Sequence, residues 1–143
     1  MVRFQLVIDC ADPDRMARFW ASALHYEFAP APDGFATWDD FHRHLGFAEE
    51  DLAHGEDHLR DPDGAGPRIW FQKVPEIKTI KNRLHLDVSA SGSPDLPEAT
   101  RRARIDAEAL RLAGLGATML TDLRNEHFAV AMMDPEGNEF DIN

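Results

Sequence analysis

One cysteine, Cys10, is the only thiol in the chain. An internal disulfide framework is therefore excluded. Cys10 falls on the apolar side of the first extended segment, so it reads as a buried structural thiol rather than a nucleophile. Basic residues are scarce beside acidic ones: 15 Lys and Arg stand against 26 Asp and Glu, a formal net charge of −11. Such a surface repels phosphate backbones and anionic lipid, which argues against nucleic acid and membrane surfaces as partners. No apolar run approaches the roughly 20 residues that a membrane-spanning helix needs. Met1–Gln5 shows no signal-peptide pattern. A cytoplasmic location fits these features. The chain also lacks a phosphate-binding loop, a dinucleotide fingerprint, a CxxC pair and a serine elbow.

What is there is an ordinary globular composition, 43% hydrophobic and 29% charged over 143 residues. That length supports one domain with a real core. Phe4–Cys10 (FQLVIDC) reads as a strand. A helix follows, with Asp12 as cap, Pro13 at the first helical position and Asp14 at the positive helix end. Met16, Phe19, Trp20, Ala23 and Leu24 recur at helical spacing and form its apolar face. Short strands are expected within Tyr26–Trp38. Helical turns are expected at Asp39–Leu45 and Ala48–His54, in an acidic, histidine-containing excursion. Asp61–Pro67 reads as a turn, Arg68–Val74 (RIWFQKV) as a strand and Arg83–Ser89 as another. Glu98–Ala113 has helical periodicity, with Ile105, Ala109 and Leu112 inward and Gly114 and Gly116 at its end. Ala117–Thr121, His127–Met133 and Asn138–Ile142 read as strands, with Asp134–Gly137 turning between the last two.

This order repeats. Gln5–Cys10 aligns with Arg83–Val88, and each block opens a strand–helix–strands unit. DPDG at Asp61 and DPEG at Asp134 fall late in their respective units. The chain therefore reads as a single α+β domain over 1–143, built from two βαβββ modules, one at about 1–75 and one at about 82–143. The modules are expected to form an open, mostly antiparallel, barrel-like sheet around a cavity.

The stretch NRLHLDV, Asn82–Val88, shows what such a cavity would contain. Leu84, Leu86 and Val88 fall on one face of an extended chain, and Arg83, His85 and Asp87 on the other. Alternation alone favours a solvated face. The repeat favours a cavity, because each sheet lays one face on its own helix and turns the other inward. Phe4, Leu6, Ile8 and Cys10 are then helix-facing, while Gln5, Val7 and Asp9 turn inward. Ile69, Phe71, Phe140 and Ile142 are helix-facing, while Trp70, Gln72, Glu139 and Asp141 turn inward.

LVIDCADPDRMARFW (Leu6–Trp20), FQKVPEIKTIKNRLHLDV (Phe71–Val88), EALRLAGLGAT (Glu108–Thr118) and MDPEGNEFDI (Met133–Ile142) together carry a resemblance. The chain resembles the vicinal oxygen chelate superfamily, the glyoxalase/bleomycin-resistance/dioxygenase group, and within it the small glyoxalase-like proteins of actinobacteria. Only the excursion around Trp38–Arg60 is poorly matched. The superfamily hosts isomerisation, epoxide opening, dioxygen chemistry and drug sequestration on one scaffold, so the resemblance implies fold more firmly than function. Its metal enzymes place His, Gln or Glu at four inward positions. By that resemblance the positions here are Gln5, Gln72, Arg83 and Asp141. Arg83 departs from the pattern, since a guanidinium offers no lone pair and repels a cation. No cofactor is therefore predicted. A divalent metal on a shifted set, Gln5, His85 and Asp141, is the alternative. The resemblance also implies a small-molecule ligand and a homodimer.

His85 and Glu139 are the candidate proton-moving groups, and Gln5, Trp70, Gln72, Arg83 and Asp141 the candidate ligand-binding ones. Bland readings stand beside these. His85 could be bonded to Asp87 or Glu139, Glu139 could sit in a salt bridge, and Arg83 could pair with Asp141. Trp70 and Trp38 are of a type to stack on a planar ligand. His42, His44, His54 and His58 read as exposed loop residues. The leading function is a glyoxalase-like enzyme with lyase- or isomerase-type acid/base chemistry on an oxyanion-bearing metabolite. The alternatives are antibiotic or small-molecule sequestration without chemistry, and a metal-dependent lyase or dioxygenase.

Overall fold

A computed structural model of the chain describes residues 2–120 and 129–143. Parts of two expected strands, Thr121 and the segment from His127 to Phe128, lie outside the described residues. The chain's contacts cluster into two units, Met1–Ile77 and Lys78–Asn143.

The first unit contains β1 (Gln5–Cys10), α1 (Pro13–Leu24), β2 (Glu27–Phe28), α2 (Trp38–His44), a 3₁₀ turn at Glu49–Asp51, β3 (His58–Arg60) and β4 (Arg68–Lys73). Its sheet runs in the order β1-β4-β3-β2. β1 pairs β4 in parallel, and the other two pairings are antiparallel. The local chemistry of α1 is as the sequence predicts. The Asp12 carboxylate accepts the Arg15 N–H at 3.1 Å, and Pro13 opens the helix. Met16, Phe19, Trp20 and Ala23 are buried against the sheet. His25 then turns the chain out of the helix in a left-handed conformation, φ 55°.

The second unit contains β5 (Asp87–Val88), α3 (Glu98–Gly114), β6 (Thr118–Met119), β7 (Val130–Met133) and β8 (Glu139–Ile142), with sheet order β5-β8-β7-β6. That order repeats the first unit, and so does the parallel pairing of its first and last strands. α3 buries Ile105, Ala109 and Leu112, as its spacing predicts. The fold is α+β, with two four-stranded mixed sheets and no closed barrel among the described residues. No described helix is long and apolar enough to cross a membrane.

The alternation on β4 and β8 is realised in full. Ile69, Phe71, Phe140 and Ile142 are buried on the helix-facing side, while Trp70, Gln72, Glu139 and Asp141 are half-exposed opposite them. The NRLHLDV stretch needs correction. Only Asp87–Val88 forms a strand, and Leu84, expected in the core, is 83% exposed. The last ladder bond on this side runs from the Asp141 N–H to the Leu86 carbonyl at 2.9 Å, and in this register Leu84 falls opposite Asn138, before β8 begins. Phe4, also expected to face the helix, is 67% exposed because β1 begins one residue later.

The excursion is a second correction. His44 and His54 are exposed, as expected, but His42 and His58 are buried. α2 carries Trp38 and His42 on faces that pack against β3 and β4. This long-range burial has no counterpart in the local acidic composition.

Candidate functional site

In the second unit, the parallel register sets Asp87 opposite Asp141. Both carboxylates meet one imidazole. His85 Nε2 stands 3.3 Å from Asp87 Oδ1 and 3.7 Å from Asp141 Oδ2. The His85 side chain is 45% exposed, so the ring is oriented by protein and still open to an incoming molecule. The three residues together offer one nitrogen and two carboxylate oxygens, all within 4.8 Å of one another. Arg83, two residues upstream, is exposed, and among the described residues it forms no ion pair with Asp141. The pairing anticipated for Arg83 is made by His85 instead.

Glu139 is engaged elsewhere. Its carboxylate accepts the Asn82 N–H at 3.0 Å and lies 3.1 Å from Lys78 Nζ. These donors, the Asn82 N–H foremost, hold its pKa at about 2. A carboxylate that exchanges protons near neutrality needs a pKa raised, not lowered. The raised pKa that would make Glu139 a base is therefore absent, and so is its anticipated contact with His85. Glu139 ties the segment entering β5 to the start of β8.

In the first unit the expected inward residues are spread out. Gln5 lies opposite Arg68 on the parallel ladder, whereas Gln72 lies opposite Asp9. Four ladder positions are about 13 Å along a strand, so Gln5 and Gln72 do not share one small ligand atom. Gln5 opens instead onto a cleft of about 750 Å³ whose rim includes Arg3, Arg60, Asp61 and Arg68. Arg60 in this cleft is neutralised by Glu27 at 2.6 Å.

Trp70 and Trp38 were offered by the sequence to a planar ligand. In the structure both stack on a protein ring. His58 lies parallel to Trp38, with centroids 3.5 Å apart and planes at 9°. It is also near-parallel to Trp70, at 5.6 Å and 13°. Trp38 Nε1 donates to the Ala29 carbonyl at 2.7 Å, and Trp70 Nε1 donates to Asp57 Oδ2 at 3.3 Å. Asp57 is a residue the sequence reading missed. Its carboxylate is 2% exposed and touches His58 Nδ1 at 2.7 Å and His42 Nδ1 at 3.7 Å. Burial pushes the His42 imidazole below its ordinary pKa, against the opposing pull of Asp57. The one sequence signal here was the adjacency of Asp57 and His58. His42 could be added only from the tertiary fold.

Two units with the same βαβββ order and the same strand arrangement match the fold of solved glyoxalase/bleomycin resistance protein/dioxygenase-type structures. The chain belongs to the glyoxalase-like domain family, whose family model matches residues 5–143. No curated protein matches it. Among solved structures it is similar to the fosfomycin resistance protein FosX from Mesorhizobium loti, with 14% identity and a TM-score of 0.62 over 100% of this chain and 92% of that one. A glyoxalase/bleomycin resistance protein/dioxygenase family enzyme from Burkholderia phytofirmans is similar at 16% identity and TM-score 0.57, covering 97% and 94% of the two chains. FosX from Listeria monocytogenes, complexed with Mn(II) and sulfate, is similar at 12% identity and TM-score 0.58, covering 99% and 92%. At these identities the likeness is one of fold.

Proposed function

We propose that this protein is a glyoxalase-like enzyme that binds a small oxyanion-bearing metabolite and moves a proton with His85. The observation that carries this reading is the half-exposed imidazole held at 3.3 Å and 3.7 Å from the Asp87 and Asp141 carboxylates. Two carboxylates at Nε2 favour the tautomer with the proton on that nitrogen, leaving Nδ1 to take a proton from a substrate. Arg83 supplies a guanidinium whose planar fork suits a carboxylate, enolate or phenolate oxygen. Charge developing on that oxygen during proton abstraction would be stabilised there. A small-molecule ligand also accords with the Gln5 cleft and its arginine-bearing rim.

A second reading is favoured by the same residues. His85, Asp87 and Asp141 form a donor set that suits a divalent cation such as Mn(II) or Zn(II). Bound there, a metal would act as a Lewis acid on a substrate oxygen. Under that reading Asp87 takes the place that the resemblance gives to Gln5. Homodimerisation belongs to the proposal on the strength of the family, and a cytoplasmic location on the strength of composition and the single cysteine.

The test is a screen of small anionic metabolites and antibiotics against the protein with and without added Mn(II), Zn(II), Ni(II), Fe(II) or Co(II). Turnover that survives metal chelation and is lost in His85→Ala supports proton transfer by His85. Turnover that requires metal and is lost in Asp141→Asn supports the second reading. Compounds that bind and are recovered unchanged under every condition would refute both, leaving sequestration.

A further inference from the structure

The first unit contains a group of buried polar residues that the function proposed above does not use. His42 is 5% exposed, Asp57 2% and His58 6%. They come from two places in the chain: His42 from α2, and the adjacent pair Asp57 and His58 at the start of β3. Among the described residues, no lysine or arginine stands within 4.0 Å of the Asp57 carboxylate. A buried carboxylate without a strong cationic partner is costly. Here the polar groups facing it are two imidazole Nδ1 atoms and the Trp70 N–H.

We propose that His42, Asp57 and His58 form a closed structural site for one divalent transition-metal ion, with zinc the best match. Asp57 presents Oδ1 to His58 Nδ1 and Oδ2 to His42 Nδ1. A bidentate carboxylate and two imidazoles supply four donor atoms, the number a closed zinc site uses. Two donors on a tetrahedral zinc stand roughly 3.3 Å apart, given bonds of about 2.0–2.1 Å. The observed separations of 2.7 Å and 3.7 Å lie on either side of that value. The 3.7 Å contact is too long for a hydrogen bond and suits two ligands of one ion. The 2.7 Å contact must open by about half an ångström. The packing permits this, because the Trp38 and Trp70 rings lie parallel to His58 and let it slide within its own plane.

Phe47 stacks on His42 at 4.9 Å, and Trp38 and Trp70 cover His58, so the faces of both imidazoles are occupied and their ring edges are held in place. A metal here would pin the excursion carrying α2 onto β3 and β4. Such a role is structural and independent of the His85 group in the other unit.

The experiment measures zinc per chain by elemental mass spectrometry after dialysis against micromolar zinc. It uses wild type, His42→Leu, and a His85→Ala/Asp141→Asn double variant that removes the other donor group. The expected result is one ion per chain in wild type, retained in the double variant and lost in His42→Leu. Thermal stability should rise with zinc and fall with chelator in wild type, and be insensitive to both in His42→Leu. If His42→Leu fails to fold, cobalt(II) added to wild type and to the double variant decides the matter through the visible spectrum of four-coordinate cobalt. No retained zinc in wild type would overturn the site. So would an ion lost in the double variant but kept in His42→Leu, and so would a cobalt spectrum absent from the double variant.

Discussion

The carboxylate of Glu139 accepts the main-chain N–H of Asn82 at 3.0 Å, bridging 57 positions of sequence. The contact is reciprocal, since the Asn82 side-chain oxygen faces the Glu139 N–H at 3.4 Å. It joins the segment that leads into β5 to the start of β8 and so stands in for the ladder pairing that β5 lacks there. Lys78 closes the arrangement at 3.1 Å.

This relationship predicts an acid sensitivity. The hydrogen bonds from Asn82 and Lys78 hold the Glu139 pKa at about 2 in the folded protein, below its ordinary value of 4.5. A depressed pKa contributes stability that is fully present above the unfolded value and is lost as pH falls through the folded one. Between about pH 4.5 and pH 2, wild type should therefore lose stability that Glu139→Gln does not possess. Near pH 7 the Gln variant should be less stable by about 1 kcal/mol, and the gap should narrow as the pH falls towards the folded pKa. Denaturant titrations of both proteins across that range provide the check. A gap that is unchanged with pH would show that the carboxylate's charge is not what holds the segment.

At the start of α1, Asp12→Ala removes the acceptor for the Arg15 N–H while leaving Pro13 and the buried face intact. Loss of an N-cap of this kind costs about 1 kcal/mol. Asp12→Asn keeps a capping oxygen and should recover most of the loss. The comparison of the two midpoints in urea distinguishes the cap from a general charge effect.

The sequence was most legible where local period and burial coincide. On β4 and β8, Ile69, Phe71, Phe140 and Ile142 alternate with polar neighbours, and the structure buries every one of them. The same alternation in NRLHLDV misled, because period 2 reveals which side chains share a face but not how many residues find a ladder partner. Leu84 keeps the pattern and lies outside the sheet. His85 meets Asp141 in the sequence reading only through the metal-binding alternative, and the ion pair at Asp141 is expected there for Arg83. The contact of His85 with Asp87 rather than Glu139 depended on which donors reach Glu139 first, and those come from Lys78 and Asn82. The burial of His42 and His58 was not legible. The residues around them are acidic, and the apolar cover comes from rings of Trp38, Phe47 and Trp70 brought together by folding.

The repeat makes a paired prediction for the core. Phe71 on β4 and Phe140 on β8 hold corresponding places in the two sheets, and their exposures are 0% and 1%. Truncation to Ala at either position should cost about 3–5 kcal/mol through lost burial and the cavity left behind. Phe71→Leu and Phe140→Leu should cost far less, because most of the volume is kept. Hydrogen exchange read residue by residue should place the loss of protection in the unit that carries the substitution. Equal loss throughout both units in either Ala variant would contradict this.

The His85 group yields the sharpest functional expectation, since its two carboxylates are separable by substitution. Asp87 is the nearer neighbour of His85 Nε2, and Asp141 sits across the ladder at 3.7 Å. If the pair orients the imidazole for proton transfer, Asp87→Asn and Asp141→Asn each weaken turnover by about 10- to 100-fold, and His85→Ala weakens it further. In the double variant His85→Ala/Asp141→Asn, the second substitution should add little, because the carboxylate then has no imidazole to orient. Substrate binding should survive in all of them if Arg83 supplies the oxyanion contact, whereas Arg83→Gln should raise KM and, by removing stabilisation of the developing charge, also lower kcat. Steady-state kinetics on any substrate found in the screen give the comparison directly. Additive losses in the double variant would mean that Asp141 acts without His85, as a ligand to a metal would, and the second reading of this site would then replace the first.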